Sequence, residues 1–239
     1  MKSGAAAAAL ALTLLGGQSV AAEPRTDTFV SGGKPVTTEW FAANGREGET
    51  APAVLILHGA DGMTVPERYR FGARALAGAG YHVVLVRYFE RTGGSGRADW
   101  ARLRDNAPLW LETVRDAVGH IAAQPGVDAA RIAVVGFSLG ASLAIAAAGE
   151  DARIKAVVDV FGPVPSGAEN AAQTPPVLIL HGARDRVVPV EHAHRLEALL
   201  KARGVPHEVT IYPDQGHGFF GSAQMDAASR ILGFLGRHL

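Results

Sequence analysis

Three short segments carry residue types that together are suited to nucleophilic acyl chemistry. They read Gly136-Phe137-Ser138-Leu139-Gly140, His181-Gly182-Ala183-Arg184-Asp185 and Asp214-Gln215-Gly216-His217-Gly218-Phe219. A serine hydroxyl is a weak nucleophile: it needs a base to take its proton and an acid to orient that base. Ser138, His217 and Asp185 are matched to these roles, and they occur in the order nucleophile, acid, base. Ser138 stands in a G-x-S-x-G motif, with an apolar run (Ile132 to Val135) before it and an alanine-rich stretch after it. That is the strand–turn–helix context such a motif requires. The flanking glycines follow from sterics, because a turn this tight brings backbone against positions 136 and 140 and drives the serine outward. An oxyanion needs two backbone donors. The N–H of Leu139, directly after the serine, is one. The other is expected from His58-Gly59-Ala60-Asp61-Gly62, at Ala60.

Other residues compete for these roles. Asp159 also ends a strand-like run and is an alternative acid; Asp214, close to His217, reads as a turn residue. His58 and His181 each precede a glycine and read as holders of loop geometry. His192 and His194 fall on a helix after Pro189 and read as surface positions. No H-E-x-x-H or comparable ligand spacing occurs, so neither a metal nor another cofactor is expected.

The elements that must position these groups are legible as apolar runs. Residues 53–57, 83–86, 132–135, 157–158 and 177–180 are apolar without alternation, as expected of strands buried on both faces. Residues 29–30 and 36–41 read as opening strands about the turn Ser31-Gly32-Gly33, and 207–212 as a closing one. Leu103, Ala107, Trp110, Val114, Ala117 and Ile121 recur at spacings of four and three, the signature of one helical face. Pro108 is expected in that helix's first turn with Asn106 as its cap. Pro189 is expected to open a helix that ends at Gly204, and Ala228, Ile231 and Leu235 to mark a C-terminal helix. Alternating strands and helices imply an α/β fold with a mostly parallel central sheet covered on both faces. Such sheets carry their chemistry at the carboxyl ends of the strands.

Composition narrows the class. The 239 residues suit one domain with a substantial core. Lys+Arg and Asp+Glu both number 23, so there is no basic excess to suggest nucleic acid. With no cysteine, disulfides, thiol nucleophiles, Cys-based metal sites and a lipid-modified cysteine are excluded. Lys2, the apolar run 5–15 and the small residues around Ala21 and Ala22 read as a cleaved signal peptide over residues 1–22. That run is too short for a bilayer span. A secreted or periplasmic domain over 23–239 is expected, with no stable membrane anchor and a small-molecule ester as its partner. The sequence leaves the oligomeric state open.

From His58-Gly59-Ala60-Asp61-Gly62 through Gly216-His217-Gly218-Phe219 the chain resembles the dienelactone hydrolase family of α/β-hydrolases. The resemblance implies an α/β-hydrolase fold and cleavage of small esters or lactones through an acyl-enzyme. Only about fifteen residues separate Val160 from Pro176, which implies a minimal cap and an open site. Against the family's founding pattern, Ser138 replaces a cysteine nucleophile, as in the serine-esterase branch. Gly59 stands where those members carry a glutamate that gates the thiol. Arg91, in Tyr88-Phe89-Glu90-Arg91, matches an arginine that grips a substrate carboxylate, while a second such arginine would fall near Gly221. Dienelactone itself is therefore disfavoured as substrate. Acyl transfer or thioester cleavage would use the same residues, and a catalytically silent binding protein is the alternative of another class.

Overall fold

The structure, a computed structural model, describes residues 23–45, 49–94 and 96–239. The signal peptide expected over residues 1–22 lies outside the described residues. The apolar runs pair into one eight-stranded sheet: β1 (Arg25–Ser31), β2 (Lys34–Phe41), β3 (Ala51–Leu57), β4 (His82–Val86), β5 (Val127–Phe137), β6 (Ile154–Val160), β7 (Val177–Gly182) and β8 (His207–Tyr212). Their spatial order is β1-β2-β4-β3-β5-β6-β7-β8. The first two pairings are antiparallel and every one from β4 onward is parallel. The long apolar runs fall in the centre because a strand there is covered on both faces and has no solvated side.

Helices α1 (Glu67–Gly78), α2 (Leu103–Ala122), α3 (Leu139–Glu150), α4 (Glu191–Ala202) and α5 (Ser222–His238) supply the covers. The strand period of two sends Leu55, Leu57 and Val134 to one face, where Trp110, Val114 and Ile121 of α2, Leu143 of α3 and Leu196 of α4 meet them. Val54, Ile56 and Val135 go to the other, under Tyr69 and Leu76 of α1 and Phe234 and Leu235 of α5. Each such side chain removed from water contributes about 1.5–3 kcal/mol.

Two local expectations, both in α2, change. Helix α2 begins at Leu103, so Pro108 lies inside it and Asn106 is a helical residue, not its cap. A proline six residues in removes a single intrahelical N–H, close to the exposed start, and the buried Trp110–Ile121 face carries the helix past it. The C-terminal helix expected from Ala228, Ile231 and Leu235 forms as α5, with Leu235 buried and Ile231 half-buried, while near its start Ala227 is buried and Ala228 faces solvent. Helix α1 had not been anticipated. Its signal is present in Tyr69, Ala73, Leu76 and Ala77, whose spacing of four, three and one marks a single buried face.

Between β6 and β7 only a short 3-10 turn, Ala168–Asn170, interrupts the connection, in keeping with the minimal cap expected. The carboxyl ends of β3, β5, β6, β7 and β8 thus lie side by side along one edge of the sheet. Among the described residues no helix is long and apolar enough to cross a membrane.

Candidate active site

Ser138 sits between the last residue of β5 and the first of α3, with φ 52° and ψ −116°. A non-glycine residue in this region is strained by roughly 1–3 kcal/mol and persists only where its surroundings hold it. Here its N–H donates to the carbonyl of Val160 at 2.9 Å, fastening the turn to the end of β6. A Cβ on Gly136 would overlap the backbone of Gly140 and Ala141, and one on Gly140 would overlap the carbonyls of Leu57 and His58. The glycines therefore let α3 start directly against β5 and the end of β3.

His217, on the loop after β8, accepts from the Ser138 hydroxyl through Nε2 at 3.0 Å. Its Nδ1 donates to Asp185 Oδ2 at 2.7 Å. A carboxylate only accepts, so this contact places the ring proton on Nδ1 and leaves the Nε2 lone pair facing the serine. The other oxygen, Asp185 Oδ1, accepts the N–H groups of Val187 at 2.8 Å and Val188 at 2.9 Å. The Asp185 side chain is fully buried while that of His217 is 21% exposed, so the carboxylate is sheltered and the imidazole is partly open to solvent. Phe161 lies tilted against the His217 ring at 4.8 Å.

The two amides expected to face an oxyanion, those of Ala60 and Leu139, are both without a backbone acceptor among the described residues. Leu139 is the first residue of α3, and its N–H has no carbonyl within the helix to bond. Ala60 N–H has no backbone acceptor among the described residues. The loop that carries it is braced by a residue that sequence reasoning missed. Tyr69 of α1 accepts the Gly59 N–H at 3.0 Å and donates its hydroxyl to Asp61 Oδ1 at 2.8 Å. Burial and the Asp61 carboxylate both push the phenol pKa up, so it stays a donor. Tyr69→Phe removes both bonds at once. We expect kcat to fall about 10- to 100-fold with KM little changed, and affinity for a boronic acid that mimics the tetrahedral intermediate to fall in parallel. An unchanged boronate affinity would remove Tyr69 from this role.

The competing residues are placed elsewhere. Asp214 pairs on the surface with Arg184. His58 is buried, stacks on Tyr88 and bonds Gly59 O through Nδ1; burial holds its pKa down, at about 4. His181 is buried beneath Asp185, with Nε2 donating to Val188 O at 2.9 Å. His192 Nδ1 accepts from Val164 N–H, while His194 is exposed near Glu197. Among the described residues no group of acidic residues and histidines is arranged to hold a metal ion. Arg91 faces Glu112 of α2 and the turn between β1 and β2, its guanidinium filling the space a side chain on Gly32 would need. Its hydrogen bond goes to Glu112.

Asp159, the alternative acid, is buried at the end of β6 and bonds Gly162 N–H at 2.7 Å instead of a histidine. Burial pushes its pKa up to about 7, partly opposed by that N–H. The unfolded chain releases this proton near 3.8, so between 3.8 and 7 the folded state holds more protons and stability falls as pH rises. Above about 7 the penalty is complete. Asp159→Asn, which keeps the acceptor for Gly162, is expected to be more stable than wild type at pH 8 by roughly 2–4 kcal/mol and indistinguishable at pH 4. Urea denaturation at the two values checks this; an equal difference at both would refute the titration.

With this geometry in place, comparisons with known proteins are informative. A family model described as the dienelactone hydrolase family matches residues 41–231. A Yersinia pestis protein named "Putative carboxymethylenebutenolidase" is 26% identical over 189 residues, covering 70% of this chain and 68% of its own length. Among solved structures, a dienelactone hydrolase-like promiscuous phosphotriesterase from metagenomic libraries superposes with a TM-score of 0.77 at 20% identity, over 90% of this chain and 98% of that one. A puromycin-hydrolysing peptidase of Mycobacterium tuberculosis gives 0.77 at 24% identity, over 90% of this chain but 39% of its own. At these identities the superpositions speak for the fold alone.

Proposed function

Because the chain belongs to the dienelactone hydrolase family, whose activity is hydrolytic, we propose that it cleaves small carboxylic esters or lactones through an acyl-enzyme on Ser138. The observation that carries this reading is the unbroken relay from Ser138 Oγ through His217 to Asp185 Oδ2, at 3.0 and 2.7 Å. His217 Nε2 takes the hydroxyl proton as Ser138 Oγ attacks the carbonyl carbon. Asp185 stabilises the imidazolium that results. The carbonyl oxygen, now negative, is held by the N–H groups of Ala60 and Leu139. His217 then returns the proton to the departing alcohol, and the same residues activate water to release the acid. Each amide donor in such a hole contributes roughly 100- to 1000-fold to the rate.

The test is labelling by a fluorophosphonate together with turnover of p-nitrophenyl esters. Wild type is expected to label and turn over, and Ser138→Ala to do neither. Folded protein that neither labels nor turns over would sink the hydrolase reading and leave a binding role on this scaffold. A thioester or an added alcohol in the same assay separates hydrolysis from thioester cleavage and acyl transfer.

We also propose that residues 1–22 direct export to the periplasm or beyond and are then removed. Intact mass of the exported protein is expected to correspond to a start just after Ala21 or Ala22. A membrane-retained chain that keeps Met1 would refute this.

A further inference from the structure

A strip of aromatic and thioether side chains lies on one side of Ser138. Met63, Phe137, Phe161 and Phe219 are half-buried and pack onto the core of the face that α1 and α5 cover. Phe161 is central: its ring meets His217 at 4.8 Å, Phe219 edge-on at 5.3 Å and Phe137 at 6.1 Å. Its backbone holds φ 47°, a region that bulky residues avoid. Two hydrogen bonds maintain it there, Phe161 N–H to Leu180 O at 2.8 Å and Gly162 N–H to Asp159 at 2.7 Å. Beyond this strip, Phe220 and Met225 are 73% and 69% exposed, where the His217 loop runs into α5. The Phe220 ring folds over Gly218, next to the base. Exposed aromatic and thioether groups contiguous with a half-buried apolar strip mark a surface built to be covered by apolar matter.

A carboxylate is fixed close to the nucleophile. Asp61 Oδ1 lies 3.0 Å from the point a Cβ on Gly59 would occupy, and that point is 3.4 Å from Ser138 Cβ. The Tyr69 hydroxyl fixes the carboxylate there. Of the arginines on the surrounding loops, Arg184 is tied to Asp214 and Arg91 faces Glu112, while Arg97, beside the Ala98 whose N–H bonds Ala60 O, is exposed. A fixed carboxylate next to Ser138 opposes an anionic substituent on the substrate.

From these two observations we infer that the substrate is an uncharged ester carrying an apolar chain, which lies along the Phe137–Phe161–Phe219 strip while Asp61 selects against carboxylate-bearing esters. The inference rests on the hydrolase reading above and adds the substrate class. The test is kcat/KM, below the critical micelle concentration, over two series: p-nitrophenyl acetate, butyrate and hexanoate, and ethyl, butyl and hexyl acetate. A methylene fully withdrawn from water is worth about fourfold. One series is expected to rise about tenfold from its first to its second member. p-Nitrophenyl hemisuccinate, similar in length to the butyrate, is expected at least about tenfold below it.

Phe161→Ala is expected to flatten the rising series, and Asp61→Asn to close most of the hemisuccinate gap. Should Phe161→Ala fail to fold, Phe220→Ala, a change at an exposed site, is expected to reduce the rise about twofold. Labelled, active enzyme that is flat in both series, or takes the hemisuccinate as well as the butyrate, overturns the inference while the hydrolase reading stands. Absence of labelling and turnover overturns both.

Discussion

Ser138→Ala is expected to lower kcat for p-nitrophenyl esters by about a millionfold, the scale at which a serine nucleophile and its base act as one unit. His217→Ala should cost about the same, and the double variant no more than either alone. The reason is geometric: the Nε2 lone pair at 3.0 Å from Ser138 Oγ has no role without the hydroxyl, and the hydroxyl is inert without it. Activity left over, roughly 1000-fold or more above water, would report the Ala60 and Leu139 amides acting alone. Single-turnover rates of the three variants, with circular dichroism to establish folding, are the check. A Ser138→Ala protein that keeps more than about one per cent of activity would falsify the assignment.

Asp185→Asn is the second large effect, expected at about 10⁴-fold in kcat with the fold intact. The loop dictates how the asparagine must sit. Oδ1 of residue 185 receives two N–H groups, from Val187 and Val188, so an oxygen has to stay there. The amide nitrogen is thereby turned toward His217 Nδ1, where the carboxylate oxygen had been. A donor facing Nδ1 moves the ring proton to Nε2, which then presents a proton to Ser138 in place of a lone pair. The nucleophile loses its base although no side chain has moved. Loss of activity with unchanged melting temperature is the expected signature. A variant within about tenfold of wild type would mean that the acid acts from elsewhere.

Much of the candidate site could be read before any coordinates, and what could not is instructive. Ser138 was legible because its constraint is local: the glycines at 136 and 140, an apolar run ahead and an alanine-rich stretch behind are all within one short segment. Leu139 follows from adjacency alone. Tyr69 was missed because nothing nearby in sequence announces it. Its hydroxyl bridges Gly59 and Asp61 only because α1 folds back over the end of β3. Arg91 was placed by resemblance, and the structure gives its guanidinium to Glu112 and the β1–β2 turn. Phe161 carried no sequence signal either, since its left-handed backbone is held by its own N–H on Leu180 of the neighbouring strand β7 and by the Gly162 N–H turning back onto Asp159 of β6.

By itself the sequence determined the order Ser138, Asp185, His217 along the chain, the strand–turn–helix at Ser138 and the α/β layering. Each of these depends on steric or hydrophobic rules that act over a few residues, namely a glycine where backbone crowds and an apolar run where both faces are covered. Which carboxylate serves His217 was decided only by tertiary structure. Asp159 and Asp185 both stand at the carboxyl end of the sheet, and either suits the chemistry. The sheet order β5-β6-β7-β8 and the loop after β7 bring Asp185 to 2.7 Å from His217, while the turn after β6 folds Gly162 onto Asp159. That choice depends on which strands lie side by side and how each chain leaves its strand, and no window of sequence contains it.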